Sequence, residues 1–140
     1  MDSLQFFLDA QAPTYDTALA ELRAGQKRTH WTWFIFPQLA GLGTSPRAQQ
    51  FAIPSLYEVE RYLAHPVLGS RLIACGEALL RHKGVSAEAI MGTVDAMKLR
   101  SSMTLFAQAS NAQPVFDTVL ARYFDGGPDE RTLALMGLTS

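Results

Sequence analysis

The sequence predicts an all-α fold, on three observations. Apolar residues recur at helical spacings of three and four along the chain. Proline, glycine and capping residues cut that pattern into short segments. Convincing strands are missing. Together these predict a compact single domain over residues 1–140, with about seven or eight mostly short helices, packed orthogonally and not as a simple up-and-down bundle.

Leu4, Phe7 and Leu8 make one apolar face behind a cap at Asp2 or Ser3. Pro13 interrupts and is placed in the first turn of the next helix, where Tyr15, Ala18, Leu19 and Leu22 repeat and Gly25 stops the run. A basic connector, Gln26 to Thr29, leads into the most aromatic stretch of the chain, His30 to Gly43. Period alone does not decide this stretch. As a helix it puts Trp31, Phe34 and Ile35 on one side, with His30, Trp33 and Pro37 on another. As a strand it alternates Trp31, Trp33 and Ile35 with His30, Thr32, Phe34 and Phe36. A helical turn ending before Pro37 is the better reading, because its surroundings are helical and no partner strand is visible.

Pro46 opens a short helix to Phe51. Ser55 and Glu58 form a capping box for a helix that turns Leu56, Val59 and Leu63 to one face. His65-Pro66 ends it. Leu68, Leu72, Cys75 and Leu79 form the next stripe, with Gly69 and Gly76 on a neighbouring face where another helix can come close. Arg81-His82-Lys83 suits the negative end of that helix, and Gly84 stops it. Ser86 starts a short helix to Met91. Thr93 caps the following one, which runs to about Ala109. Pro114 starts another, burying Phe116, Val119, Leu120 and Tyr123. After the Asp125–Pro128 turn, Asp129 and Glu130 begin a last helix with Leu133 and Met136 inward.

The balance of 48% hydrophobic and 18% charged residues is globular, and at 140 residues the core needs no disulfide or metal. A net charge of −1 gives no general drive toward nucleic acid. The single cysteine, Cys75, sits on a core stripe and fits a reducing compartment. The N-terminus has an acid where a signal peptide has basic residues, and no run approaches a membrane span. A cytoplasmic location is expected, with no membrane partner. Three histidines and one cysteine without paired short spacings give no metal signature. Gly-x-Gly-x-x-Gly, P-loop and Gly-x-Ser-x-Gly motifs are absent, so no cofactor is expected.

Two stretches carry groups that can recognise a ligand. In the aromatic stretch, Trp33 can stack on a planar ring, Gln38 offers both a donor and an acceptor, and His30 titrates near neutrality and is the candidate acid or base. On the helix after Gly92, Lys98, Ser101 and Ser102 share a face and can hold phosphate or carboxylate through charge-assisted bonds. Each has a structural alternative. Aromatic runs are usually core, which is the reading for Trp31, Phe34 and Ile35. Asp95 and Lys98 can be a surface pair, and the serines can bond back to their own helix.

The block His30-Trp31-Thr32-Trp33-Phe34-Ile35-Phe36-Pro37-Gln38 with Gly41-Leu42-Gly43 resembles the signature of a bacterial domain-of-unknown-function family numbered eighteen-ten. Tyr62 to Gly69, Lys98 to Phe106 and Asp129 to Leu133 are similar to its other blocks. The resemblance covers nearly the whole chain. It implies a compact, mainly helical fold and no established activity. The order of the blocks is more distantly similar to the NADAR family, linked to nucleotide and ADP-ribose chemistry. No acidic residue stands inside the aromatic block here, so no catalytic residue is carried over.

The expectation is a pocket between the aromatic block and the Lys98 helix. It would bind or hydrolyse a small anionic ring-containing molecule, a nucleotide or ADP-ribose derivative, through Trp33, Gln38, Lys98, Ser101 and Ser102. The alternative is a structural or protein-interaction module with the aromatic block as core.

Overall fold

The computed structural model describes residues 3–138. Among the described residues the chain forms ten helices and no strand: α1 (Ser3–Gln11), α2 (Tyr15–Ala24), α3 (Thr32–Ile35), α4 (Pro46–Gln50), α5 (Leu56–Ala64), α6 (Leu68–Leu79), α7 (Ala87–Met91), α8 (Thr93–Ala107), α9 (Pro114–Phe124) and α10 (Glu130–Leu135). The count exceeds the seven or eight expected; it includes the three very short helices α3, α4 and α7, of four to five residues each. The only extended pairing described is an isolated parallel bridge between Leu39 and Ile53.

Local chemistry sets most boundaries. Ser45, Ser55 and Ser86 each accept the N–H three residues on, at 3.2, 3.3 and 3.0 Å, and Asp129 does the same for Thr132 at 3.2 Å. Gly25 is left-handed, and its N–H closes α2. Two expected starts move. Pro13 stands outside α2, whose N-cap is Thr14, and Thr93 is the first residue of α8, behind Gly92 at φ +86°. The cap expected at Asp2 or Ser3 lies outside the residues whose side chains are described. His65 ends α5, and its Nδ1 also accepts the N–H groups of Val67 and Leu68 at 3.1 and 3.2 Å at the start of α6.

The core is continuous and aromatic at its centre. Phe34, Phe51, Phe7, Tyr62, Phe106 and Phe116 follow one another with ring centroids 5.2 to 5.8 Å apart. Most pairs are tilted and one is edge-on, as ring quadrupoles favour. Tyr62, not Leu56, is the buried residue on its helix beside Val59, and Leu56 is exposed. Buried Gln11 donates to the Phe34 carbonyl at 2.7 Å and to the Tyr62 hydroxyl at 3.0 Å, tying α1, α3 and α5 together.

Helix α8 lies at the middle, packed against α3, α5, α7, α9 and α10. Every residue from Ser101 to Phe106 is buried. On α6 the expected stripe of Leu68, Leu72, Cys75 and Leu79 is buried, and its two glycines meet different neighbours. A Cβ at Gly69 would stand 2.2 Å from the Leu63 carbonyl oxygen of α5, whereas one at Gly76 would stand 2.9 Å from a Val115 methyl of α9.

Those obstacles differ in kind, since a methyl can move and a backbone carbonyl cannot. Gly69→Ala is expected to cost about 1–3 kcal/mol through overpacking, and Gly76→Ala clearly less. Urea denaturation of the two variants checks this; equal midpoints would contradict the close α5–α6 approach.

Candidate functional site

The aromatic stretch enters the core through one carboxylate. Glu21 on α2 accepts from the backbone N–H of Arg28 and of Thr29, the Thr29 hydroxyl and the Trp31 indole N–H, at 2.8 to 3.1 Å. Burial pushes this carboxyl up, but the hydrogen bonds together prevail and hold it at about 2. Trp31 is thereby drawn fully inside and becomes the N-cap of α3. The stretch is therefore a single helical turn, with Trp31, Phe34, Ile35 and Phe36 buried. His30 precedes that anchor and is left exposed.

Beyond α3 the chain turns along the N-terminal half of α8. Ile53 donates its N–H to the Gln38 carbonyl and accepts from Ala40, both at 2.9 Å, so the backbone at Gln38 is pinned. Gly43 passes so close to α4 that a Cβ there would lie 2.3 Å from that of Ala48. The resulting cleft encloses about 250 Å³. The loop contributes Gln38, Leu42 and Gly43; α8 contributes Val94, Met97, Lys98, Arg100 and Ser101; the start of α10 contributes Asp129 and Arg131.

The polar groups are held from behind. Asp129 Oδ2 accepts from Ser101 Oγ at 3.0 Å, from Thr132 N at 3.2 Å and from Thr132 Oγ1 at 2.5 Å. The Asp129 N–H donates to Thr104 Oγ1 at 2.8 Å. Arg100 donates through Nε to the Gly127 carbonyl at 2.9 Å and lies over Phe124. A Cβ at Gly127 would come within 2.7 Å of the Arg100 guanidinium, the flexible end of that side chain.

Lys98 is positioned by charge and by an aromatic face. Its Nζ lies 3.4 Å from Asp95 Oδ1 and 4.7 Å from the Trp33 ring centroid. The other Asp95 oxygen pairs at 2.9 Å with Lys27, whose side chain is only 5% exposed. Lys27 also donates to the Thr29 carbonyl at 2.6 Å and lies over Trp31.

Of the residues singled out from the sequence, Gln38, Lys98 and Ser101 line one cleft. Three do not. His30 is exposed and outside the lining. Trp33 is half-buried beside the cleft, with Lys98 and Arg47 over its ring, so it positions the ammonium. Ser102 is fully buried, and its Oγ has no hydrogen-bond partner, because neighbouring helices cover that side of α8. Ser101 Oγ also lies 3.1 Å from the Met97 carbonyl, so its single proton is shared between that acceptor of its own helix and Asp129 Oδ2.

Arg100, Asp129 and Arg131 are cleft residues that the sequence reading missed. Arg100 falls between Lys98 and Ser101, off the i, i+3 stripe. Asp129 read as a helix start, which it also is. Elsewhere, burial pushes the Cys75 thiol up to about 12, so it is no nucleophile at neutral pH. Among the described residues no group of three His, Cys, Asp or Glu is gathered to hold a metal, and no helix is long and apolar enough to cross a membrane.

The family model described as "Protein of unknown function (DUF1810)" matches residues 1–136, and the chain belongs to that family. A solved structure, that of the conserved hypothetical protein Rv1873 from Mycobacterium tuberculosis, is similar in sequence and fold: 51% identity, 97% of each chain covered and a TM-score of 0.94. No curated protein matches the chain. Three of the four blocks quoted for the resemblance supply the lining of the cleft, apart from Val94 and Met97.

Two outcomes follow. Glu21 titrates below its ordinary 4.5 in the folded protein, so its stabilising contribution is present above that value and is lost as pH falls toward 2. Glu21→Gln should be less stable than the parent at neutral pH, with the gap narrowing through that window in urea denaturation. A gap independent of pH would contradict the assignment. For the lysines, Lys27→Met should cost on the order of 2 kcal/mol, because it removes the closer partner of Asp95 and the donor to the Thr29 carbonyl while Lys98 stays beside the carboxylate. Lys98→Met should cost about 1 kcal/mol or less. Melting curves of the two variants check the order.

Proposed function

We propose that the cleft between the loop after α3, α8 and the start of α10 binds a small anionic molecule that carries a ring. The observation that supports this best is the composition of the lining. Lys98, Arg100 and Arg131 set three cations beside the Gln38 amide and the Ser101 hydroxyl. Val94 and Met97 add an apolar shoulder that is 67% and 63% exposed. Cations recognise the anion, the amide reads a polar edge, and the shoulder takes the flat face of a ring. Lys98 keeps a net charge to offer, because Asp95 is already matched by Lys27.

Binding is the part of the expectation with most support. Hydrolysis would need an acid or base at the reacting atom, and the only titratable carboxyl in the lining is Asp129. Nucleotides remain the natural class to test first.

A thermal-shift panel of nucleoside monophosphates, ADP-ribose and sugar phosphates tests the reading. A ligand at a hundred times its dissociation constant adds about 2.7 kcal/mol of apparent stability. Lys98→Ala should abolish that gain while leaving the unliganded melting temperature within a few degrees of the parent. No shift with any anion on the panel would count against the proposal.

The interaction-module reading is favoured by a different observation. An apolar groove of about 220 Å³ runs between Leu39, Leu56, Leu135 and Leu138, away from the cations. Light scattering across a concentration series tests whether a second copy covers it.

A further inference from the structure

Resting on the proposed anion site, we infer that its ligand is a phosphate monoester on a hydroxylated ring, of phosphosugar or nucleoside-monophosphate size, with Asp129 accepting a ligand hydroxyl. Three observations lead there. The first is charge. Lys98, Arg100 and Arg131 face a single lining carboxylate, a surplus of two positive charges. A phosphate monoester carries about −1.5 to −2 at neutral pH and matches that surplus, whereas a carboxylate or a phosphodiester brings half of it.

The second is the carboxylate itself. An acid among cations repels an incoming phosphate, so the site selects for the phosphate only if the ligand also brings a donor to that acid. Asp129 has the capacity. Its structural bonds to Ser101 and Thr132 all end on Oδ2, and a carboxylate has about four acceptor positions on two oxygens. Capping α10 does not require the charge either, since asparagine caps as well as aspartate. A hydroxyl next to the phosphate-bearing carbon framework is the donor that reaches acid and cations together.

The third is size. About 250 Å³ lies just under the roughly 300–1,000 Å³ of ordinary ligand pockets. That suits one phosphate and one or two rings. An ADP-ribose-like molecule, with two phosphates and a second ribose, exceeds that volume.

Isothermal titration with four probes tests this: inorganic phosphate, phenyl phosphate, ribose 5-phosphate and adenosine 5′-monophosphate. In the parent protein the two hydroxylated esters should bind at least tenfold more tightly than phenyl phosphate. Asp129→Asn should remove that preference, weakening the hydroxylated esters about tenfold or more and leaving phenyl phosphate equal or tighter. The parent comparison needs no variant, so it stands even if Asp129→Asn folds poorly. Adenosine monophosphate tighter than ribose 5-phosphate identifies a nucleotide ligand; the reverse identifies a phosphosugar. If phenyl phosphate matches the hydroxylated esters and all binding still depends on Lys98, the inference fails and the anion site survives. If none of the four binds, both fail.

Discussion

The burial of the second half of α8, from Ser101 to Phe106, is the constraint on which the rest of this structure depends. A helix covered by α3, α5, α7, α9 and α10 has no solvent face over its second half, yet it carries Ser101, Ser102 and Thr104 there. Buried hydroxyls are costly without partners. Thr104 Oγ1 meets the requirement twice, donating to the Arg100 carbonyl and accepting from the Asp129 N–H. Ser101 meets it by bonding to Asp129 Oδ2. The start of α10 is therefore stitched to α8 by the hydroxyls that α8 had to satisfy, and the cleft wall follows from core chemistry. Ser102 is the exception; its Oγ stays unpartnered at full burial.

The connector that leads into the aromatic block is set by charge. Lys27, nearly buried, is compensated by Asp95, the Thr29 carbonyl and the Trp31 face. Breaking such an arrangement exposes an uncompensated ion to a low dielectric, which is why it fixes the register of the connector against α8. Glu21 acts on the same connector from α2. Between them the two charges hold Trp31 in the core and leave the Trp33 ring beside Lys98. The aromatic block is thus structural through Trp31, Phe34 and Ile35. It touches the cleft through Trp33, by way of Lys98, and directly at Gln38.

The fold class was legible because it rests on local signals. Ser45, Ser55, Ser86 and Asp129 cap where side-chain oxygens meet free N–H groups, and Gly25 stops where a left-handed residue is needed. Close approach at Gly69 and Gly76 was legible as well, though not that two different helices make it. The lining of the candidate cleft was half legible. Lys98 and Ser101 share a helix face, so spacing finds them. The same spacing also named Ser102, because a helical stripe does not say how much of its arc the neighbours cover. Asp129 and Arg131 lie about thirty residues away in sequence and meet α8 only through tertiary contacts that no local pattern encodes. The Lys27–Asp95 pair escaped for the same reason, leaving Asp95–Lys98 to look like an isolated surface pair.

What separates recognition from scaffolding in this molecule is how completely each polar group is used. Tyr62 and Gln11 are buried, and the Lys27 side chain is nearly so, against partners that account for them. The cleft groups are held on one side only. Arg100 is tied through Nε and Asp129 through Oδ2, and Lys98 shares a carboxylate already matched by another lysine. Their fixed ends remove the conformational freedom that a long charged side chain would otherwise lose on binding. A fold gathers such groups at one place, beside exposed Val94 and Met97, only at some cost in desolvation and repulsion. Occupation by an anion that answers the cations, the carboxylate and the apolar shoulder together would relieve that cost, which is the physical ground for proposing that the cleft binds one.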